Sequence, residues 1–284
     1  MIRETRLLLT AVMFYTRVPV PAWVGYSPEQ LNASTRYFPF IGVLVGTVVG
    51  LSAWAARMVL PTTVAAVLAL AIGVLLTGAF HEDGFADVCD GFGGGITRER
   101  TLEIMKDSRV GAYGVIGTVL LFALKVGVLT AFLDGWGSRW TPSEPGNGWF
   151  VIPTVIFAHV VSRWAVTWII LRYEYARDDL TSKVKPIGRS LSWGGFLFGT
   201  FTLVAVFGLL VPPADGWRLE RLAIGGAAVV LAWLAALRCG VWFRRRLGGY
   251  TGDCLGATQQ IIEQLVLLAV LVMARFVMPL EVVA

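Results

Sequence analysis

Long apolar stretches separated by short polar segments dominate the chain. Each stretch has about 20 residues, which is the length that a helix needs to cross a hydrocarbon core of about 30 Å. Because lipid offers no partner for a bare backbone amide, a spanning stretch must be helical. The pattern therefore predicts an all-α, polytopic membrane bundle with about seven transmembrane helices. The stretches cover approximately residues 38–56, 62–80, 112–133, 149–171, 193–212, 222–240 and 255–279.

Three glycines in the first stretch predict a close contact between two helices. Gly42, Gly46 and Gly50 follow one another at four-residue spacing. In a helix this spacing puts three positions without a side chain on one face. Such faces let membrane helices approach one another closely.

The N-terminal segment has a different pattern. It contains a short apolar stretch between arginines, and Arg17 follows without a small-x-small cleavage site. We interpret it as an uncleaved interfacial helix and not as a signal peptide. Together with the seven spanning stretches it forms a single membrane-embedded domain over residues 1–284.

Composition and charge support a membrane protein. Hydrophobic residues make up 56% of the chain and charged residues 15%, whereas a soluble domain is about 25% charged. This disfavours disorder, a disulfide scaffold and nucleic-acid binding. With the N-terminus in the cytoplasm, the inner segments contain 17 of the 24 Lys and Arg residues and the outer segments 4. That excess of inner positive charge predicts a multi-pass membrane protein with the polar site facing the cytoplasm.

The most informative polar segment starts where the second apolar stretch ends, and it contains Asp83, Asp87 and Asp90. If the helix continues, these residues fall within about 60° of arc at about 100° per residue. Three carboxylates so close together repel one another unless a cation is present. Oxygen ligands suit Mg²⁺, which usually also binds substrate phosphates and water. The segment thus predicts a magnesium site, with a solvated acidic loop as the alternative.

Two other loops contain candidate ligands. Asp107 is either a further metal ligand or the ion-pair partner of Arg109. Lys106 and Arg109, one helical turn apart, are candidates for a shared phosphate contact. The alternative is that these basic residues only mark the inner membrane surface. In the second loop, Asp253 is either a metal ligand or a helix N-cap.

Glycines and isolated polar residues complete the candidate set. Gly249 and Gly252, on either side of Thr251, allow a close backbone approach to an anion. Arg163, one turn after His159, should pair with an acid or line a polar cavity, because an arginine in hydrocarbon is unfavourable. Glu263 would also need a partner within the last stretch. Further candidates are Arg17, as a cation at the interface, and His81, as a base or a hydrogen-bonded bystander.

At these residues the chain resembles a known enzyme family, the cobalamin synthases or adenosylcobinamide-GDP ribazoletransferases. The resemblance extends over most of the chain, and the combination of the acidic motif with the Met-Lys-Asp-Ser-Arg motif makes it specific. The motifs are Phe14-x-Thr16-Arg17-Val18-Pro19, Tyr37-Phe38-Pro39 with Gly42, His81-x-Asp83-Gly84-x-x-Asp87-x-x-Asp90-Gly91, Leu102-Glu103-Ile104-Met105-Lys106-Asp107-Ser108-Arg109 with Gly111, Ser162-Arg163, and Gly249-x-Thr251-Gly252-Asp253 with Leu255-Gly256-Ala257 and Glu263.

The resemblance implies an activity. Adenosylcobinamide phosphate would pass from adenosylcobinamide-GDP to α-ribazole or α-ribazole 5′-phosphate, with release of GMP. This step completes the nucleotide loop of adenosylcobalamin. The resemblance also implies dependence on Mg²⁺ and an inner-membrane location. The expected partners are the two substrates and the lipid bilayer, not nucleic acid, and assembly into a homo-oligomer stays open.

We hypothesise a division of roles among the candidates. One or two Mg²⁺ ions would be held by the three aspartates of the acidic segment with Asp107 or Asp253, and they would bridge the diphosphate. Cationic side chains would neutralise the remaining phosphate charge, and the base would be one of the aspartates or His81. The predicted substrate-binding residues are Arg17, Lys106, Arg109, Arg163, Gly249, Thr251 and Gly252.

Two alternatives belong to other classes of protein. The acidic segment partly resembles the CDP-alcohol phosphatidyltransferases, which are also Mg²⁺-dependent membrane enzymes. A cation-coupled transporter is the second alternative, and it predicts charges and broken helices near the bilayer midplane. We expect the midplane of this chain to be mostly free of charge, since its acids cluster at one boundary.

Overall fold

The computed structural model describes residues 2–135, 150–176, 190–210 and 218–277, and the side chains of 218 and 274–277 are excluded from that description. Within these ranges the chain folds into α-helices, as predicted, together with two 3₁₀ helices at Ala22–Val24 and Thr35–Tyr37. The helices are α1 (Ile2–Tyr15), α2 (Pro28–Ser34), α3 (Phe38–Arg57), α4 (Thr62–Thr77), α5 (Phe80–Gly94), α6 (Arg98–Ile104), α7 (Ala112–Leu133), α8 (Val151–Arg172), α9 (Trp193–Leu210), α10 (Arg218–Leu247) and α11 (Gly252–Val277).

Six of the seven predicted spanning stretches are confirmed as helices of sufficient length, and the second, 62–80, falls in a bent helix pair. Among the described residues, six helical segments are long and apolar enough to cross a membrane, and they include α3 and α7 to α11. The pair of α4 and α5 is a seventh candidate, bent by 92° at its break. Helix α1, with 14 residues, is too short to span a core of about 30 Å at about 1.5 Å per residue. This is the length expected of an interfacial helix.

The glycine face of α3 packs against α8, as its spacing predicts. A Cβ atom on Gly46 would lie 2.6 Å from the Cα of Ile156, and Cβ atoms on Gly42 and Gly50 would come equally close to the α8 backbone. Because only glycine permits this approach, α8 is deeply buried against α3. The contact fixes the depth at which polar side chains of α8 lie inside the bundle.

The second apolar stretch ends in a sharp break. Gly78 and Ala79 both adopt left-handed backbone conformations, with φ of 67° and 58°. The side chain of Arg17 lies directly against Gly78, where a Cβ atom would collide with its Nε atom. The assumption that the helix continues into the acidic segment is therefore wrong. That segment forms a separate helix, α5, which turns away from α4 by 92°.

Three polar connections meet at one end of the bundle. Arg98 donates hydrogen bonds to the carbonyl oxygens of Leu247 and Ala176, each at 2.8 Å. Arg246 donates to the carbonyl oxygen of Gly95 at 2.6 Å. These residues come from three of the segments expected on the inner side. The charged segment 177–189 and most of the outer loop 134–148 lie outside the described residues.

The glycine face generates a stability prediction. Gly46→Ala should lower the free energy of unfolding by about 1–3 kcal/mol, because its methyl group would overlap the α8 backbone. Gly127→Ala in α7 is the matched control, since a Cβ atom there meets nothing within 4 Å. Removing a helical glycine at that position should be neutral or stabilising by up to about 1 kcal/mol. Tryptophan fluorescence during unfolding of the detergent-solubilised protein measures both, and equal stability of the two variants would contradict the close-packing account.

Candidate active site

Helix α5 contains the acidic segment, and its glycines let it pack tightly between α11 and α7. A Cβ atom on Gly84 would lie 2.8 Å from the Cα of Asp253, the second residue of α11. One on Gly117 of α7 would approach the Cys89 side chain of α5 as closely as 2.6 Å. The backbone of α5 therefore lies directly against the N-terminal turn of α11, which places Asp253 beside the acidic segment.

The three aspartates of α5 share one side of the helix. All three lie within the continuous helix Phe80–Gly94, so the arc of about 60° expected from their spacing applies. We call Asp83, Asp87 and Asp90 the acidic face. Asp83 is exposed, whereas Asp87 and Asp90 are half-buried. The exposure of Asp83 makes it the carboxylate most accessible to a substrate in water.

His81 lies away from the acidic face. At about 100° per residue, it is on nearly the opposite side of α5 from Asp83. Its side chain is buried, with 2% of the residue exposed, and its ring stacks on Phe38 at a centroid distance of 5.8 Å. The structure thus does not bring His81 together with the aspartates.

Asp90 has a structural role that could not be inferred from its position in the sequence. Its Oδ2 atom accepts a hydrogen bond of 2.7 Å from the backbone N–H of Gly111, and Oδ1 accepts one of 2.8 Å from Gly114. Gly111 precedes the first residue of α7, where free N–H groups and the helix dipole favour a negative charge. Asp90 therefore caps α7 from a neighbouring helix. Whether it also binds metal stays a prediction.

The start of α11 is capped by Thr251. The backbone N–H of Cys254 donates to the Thr251 hydroxyl at 3.3 Å, and that hydroxyl is also 3.3 Å from Asp253 Oδ2. The alternative that Asp253 is the N-cap is therefore wrong. Gly252 begins the helix, so the segment does stand at a helix N-terminus.

Gly249 packs against protein backbone. A Cβ atom there would collide with the carbonyl oxygen of Glu174. The neighbouring residue Tyr250 pairs with the same segment, because its N–H donates to Glu174 at 3.0 Å and its carbonyl oxygen accepts from Ala176. The close approach predicted for this glycine is present, but its partner is the chain itself. Anion binding by Gly249, Thr251 and Gly252 stays a prediction.

The loop between α6 and α7 contains the Asp107–Arg109 ion pair. Arg109 Nη2 lies 2.6 Å from Asp107 Oδ2, and the hydrogen bond from this guanidinium lowers the pKa of Asp107 to about 2. The ion-pair alternative for Asp107 is thus the observed one. Lys106 is also exposed, but α6 already ends at Ile104. The expectation that Lys106 and Arg109 are one helical turn apart is therefore wrong, although both cations remain accessible.

Arg17 lies at the break between α4 and α5. Its backbone N–H donates to the carbonyl oxygen of Leu76 at 2.7 Å, and its side chain covers Gly78. The residue is exposed. A cation is therefore present at the end of α4, close to the point where α5 begins.

Arg163 is buried inside the bundle, with 1% of the residue exposed. It donates to the carbonyl oxygen of His159 at 3.1 Å and lies 3.9 Å from Glu263. The expectation that it pairs with an acid or lines a polar cavity is confirmed. Glu263 also has the partner it requires, Lys125 of α7 at 3.1 Å. The expectation of a midplane mostly free of charge is therefore wrong, because these residues lie midway along α7, α8 and α11.

The carboxylates of the acidic face are potential donors to a metal ion. Among the residues that the structure describes, no three His, Cys, Asp or Glu side chains converge on a common metal position. Asp83 and Asp87 are one helical turn apart on α5, and the backbone of Asp253 lies against Gly84 of the same helix. One or two carboxylates are the usual protein ligands of Mg²⁺, which completes its shell with phosphate and water.

Comparison with known proteins adds independent information. A family model described as cobalamin-5-phosphate synthase matches residues 7–271. A protein of Leptothrix cholodnii named adenosylcobinamide-GDP ribazoletransferase is 43% identical over 265 residues, covering 93% of this chain and 94% of its own length. A protein of Shewanella amazonensis with the same name is 41% identical over 273 residues, covering 95% and 96%. No solved structure gives a significant match.

The capping role of Asp90 can be separated from chemistry at the acidic face. Asp90→Ala should lower the free energy of unfolding by about 0.5–2 kcal/mol, since it leaves N–H groups at the start of α7 without an acceptor. Asp83→Ala is the matched control, because that carboxylate is exposed. Thermal unfolding in detergent measures the difference. If both variants unfold at the wild-type temperature, the cap does not stabilise α7.

Proposed function

The chain belongs to the cobalamin-5-phosphate synthase family, and on that premise we propose that it transfers adenosylcobinamide phosphate from adenosylcobinamide-GDP to α-ribazole or α-ribazole 5′-phosphate. The observation that carries the proposal is 41–43% identity to named adenosylcobinamide-GDP ribazoletransferases over more than nine-tenths of the chain. The reaction completes the nucleotide loop of cobalamin. The chain is thus a membrane transferase of cobalamin biosynthesis.

The bond changes define what the site must do. A ribose hydroxyl of α-ribazole attacks the phosphorus that is attached to cobinamide, and a new P–O bond forms. The P–O bond to the GMP moiety breaks, GMP leaves with the bond electrons, and the hydroxyl proton passes to a base. Phosphoryl transfer of this kind depends mainly on positioning and on neutralising charge.

The acidic face is the proposed location of this chemistry. Mg²⁺ would be held by Asp83 and Asp87, with Asp253 adjoining, and when bound it supplies charge neutralisation for the diphosphate and acidifies a nearby hydroxyl. Asp90 and Asp107 would join this set only by sharing oxygens that already accept hydrogen bonds, from the start of α7 and from Arg109 respectively. A carboxylate of this face, and not the distant His81, accepts the hydroxyl proton.

Exposed cations near α5 are proposed to bind the phosphates. Arg17 lies at the start of α5 and Arg109 in the loop that Asp90 tethers to α5. Lys106 is exposed in the same loop. Arg163 is excluded from this role by its burial. Since charge-assisted contacts to phosphate are strong, these cations would fix the diphosphate without any covalent contribution.

The orientation of the site follows from the loops that surround it. The acidic face, Arg98 and Arg246 all lie on segments that we place on the inner side from their excess of Lys and Arg. The hydrogen bonds that join these segments support a common side. We therefore propose that the site opens to the cytoplasm from the bacterial inner membrane, where water-soluble nucleotide substrates are available.

The function predicts a specific loss of activity. Asp83→Asn should abolish GMP release from adenosylcobinamide-GDP and α-ribazole 5′-phosphate by purified protein, because one anionic ligand for Mg²⁺ disappears while the fold is kept. Chelation of Mg²⁺ should abolish turnover in the wild type. Asp134→Asn, at the C-terminal end of α7, is the control and should keep normal turnover.

Several outcomes would contradict the proposal. Normal turnover by Asp83→Asn would show that the acidic face takes no part in the reaction. Normal turnover after chelation would show that the reaction does not require Mg²⁺. If the wild type releases no GMP, the protein does not have the proposed activity. The same assay in sealed vesicles tests the orientation, because only inside-out vesicles should turn over substrates added from outside.

A further inference from the structure

A small polar cavity lies inside the bundle, on the side of α5 that bears His81. Its volume is about 30 Å³, and it is lined by residues of α3, α4, α5, α7, α8 and α11. A space of this size admits about one or two water molecules, and it excludes both proposed substrates. Among the polar side chains that line it are His81, Glu82, Lys125, Arg163, Gln260 and Glu263.

Glu263 is the centre of the ionic network at this cavity. Its Oε1 atom lies 3.1 Å from Lys125 Nζ, and its Oε2 atom lies 2.9 Å from His159 Nδ1 and 2.7 Å from Gln259 Nε2. The side chains of both Lys125 and Glu263 are only 5% exposed. Such a network joins α7, α8 and α11 in a region where unpaired charge is strongly disfavoured.

The network reaches α5 through Glu82. The Oε1 atom of Glu82 accepts a hydrogen bond of 3.0 Å from Gln260 Nε2 and lies 3.7 Å from Lys125 Nζ. Its side chain is 12% exposed. Glu82 directly precedes Asp83, so this buried carboxylate attaches the first turn of α5 to α7 and α11 immediately before the acidic face begins.

Four residues that line the cavity each have one buried atom with no hydrogen-bond partner among the described residues: His81 Nε2, Glu82 Oε2, Arg163 Nε and Gln260 Oε1. Each is a polar atom without access to bulk solvent, and leaving such atoms unpaired is unfavourable. Arg163 Nε is a donor, Glu82 Oε2 and Gln260 Oε1 are acceptors, and His81 Nε2 serves as either. Water, with two donors and two acceptors, is the small ligand that satisfies such a mixed set.

We propose that this cavity is a hydrated anchor for α5, in which internal water bridges the four atoms and Glu82 and Gln260 act as positioning residues for the acidic face. The anchor itself is a property of the fold. Its consequence for turnover rests on the proposed function.

The break before α5 explains why an anchor is needed. Gly78 and Ala79 interrupt the helix and turn α5 by 92°, so the direction of α5 is not set by continuity with α4. Contacts with the neighbouring helices must set it, and Glu82 supplies the ionic one within the first turn. A misplacement of about 1 Å at a reacting group can lower a rate by about 100-fold.

Two substitutions disrupt the anchor without leaving an unpaired buried charge. Glu82→Gln keeps the shape but removes the charge that faces Lys125, which retains Glu263. Gln260→Met keeps the length but removes the donor to Glu82. The matched control is Glu99→Gln, because Glu99 lies in a weak surface ion pair with its side chain 78% exposed. All are studied as the full chain, purified in detergent.

The expected result has two readouts. Both anchor variants should lower kcat for GMP release by about tenfold or more and change KM for adenosylcobinamide-GDP by less than about twofold. Amide hydrogen exchange should accelerate in residues 80–94 and stay at the wild-type rate in α3 and α8. Glu99→Gln should match the wild type in both readouts. An experimental structure that resolves ordered water should show water in contact with Glu82 Oε2.

Each other outcome overturns a defined part of the proposal. Wild-type exchange in residues 80–94 of both variants would overturn the anchor. Accelerated exchange throughout the chain would show that Glu82 and Gln260 stabilise the whole fold and do not specifically position α5. Faster exchange in α5 with unchanged kcat would show that the acidic face does not depend on the anchor. If the wild type releases no GMP, the proposed function fails, while the exchange data still decide the anchor.

Discussion

The arrangement of the bundle depends on the neutralisation of Lys125 and Glu263 inside an apolar environment. Each side chain is only 5% exposed, and a charge left alone there would be strongly destabilising. Each residue therefore requires the other, together with His159 and the amides of α11. This requirement fixes α7, α8 and α11 relative to one another, and the glycine face of α3 sets the depth of α8.

Helix α5 connects this buried network to the membrane surface. One side of the helix contributes His81 and Glu82 to the polar cavity, while the acidic face lies on another side with Asp83 exposed. The same short helix thus lies between two charged regions. One is the buried ionic network, whose charges hold the helices together, and the other is the acidic face, whose charges we propose take part in catalysis. Asp90 belongs to the acidic face but also caps α7, so one residue of this face stabilises the fold.

The features that follow from local sequence were predictable, and those that depend on distant partners were not. Hydropathy located the spanning helices, and spacing gave both the glycine face and the shared side of the aspartates. The partner of Glu263 could not be deduced, because Lys125 lies 138 residues away. The capping of α7 by Asp90 is non-local in the same way. At the break, Arg17 packs against Gly78, and apolar periodicity does not encode this contact.

The central claim is that Lys125 and Glu263 are required as a pair, and a double-mutant cycle tests it most directly. The free energy of unfolding in detergent would be measured for Lys125→Met, Glu263→Gln and the double variant. Each single substitution should destabilise by about 3 kcal/mol, because it leaves a buried charge with reduced compensation. The double variant should lose clearly less than the sum. Losses that add within about 0.5 kcal/mol would show that the two residues act independently and would contradict the account.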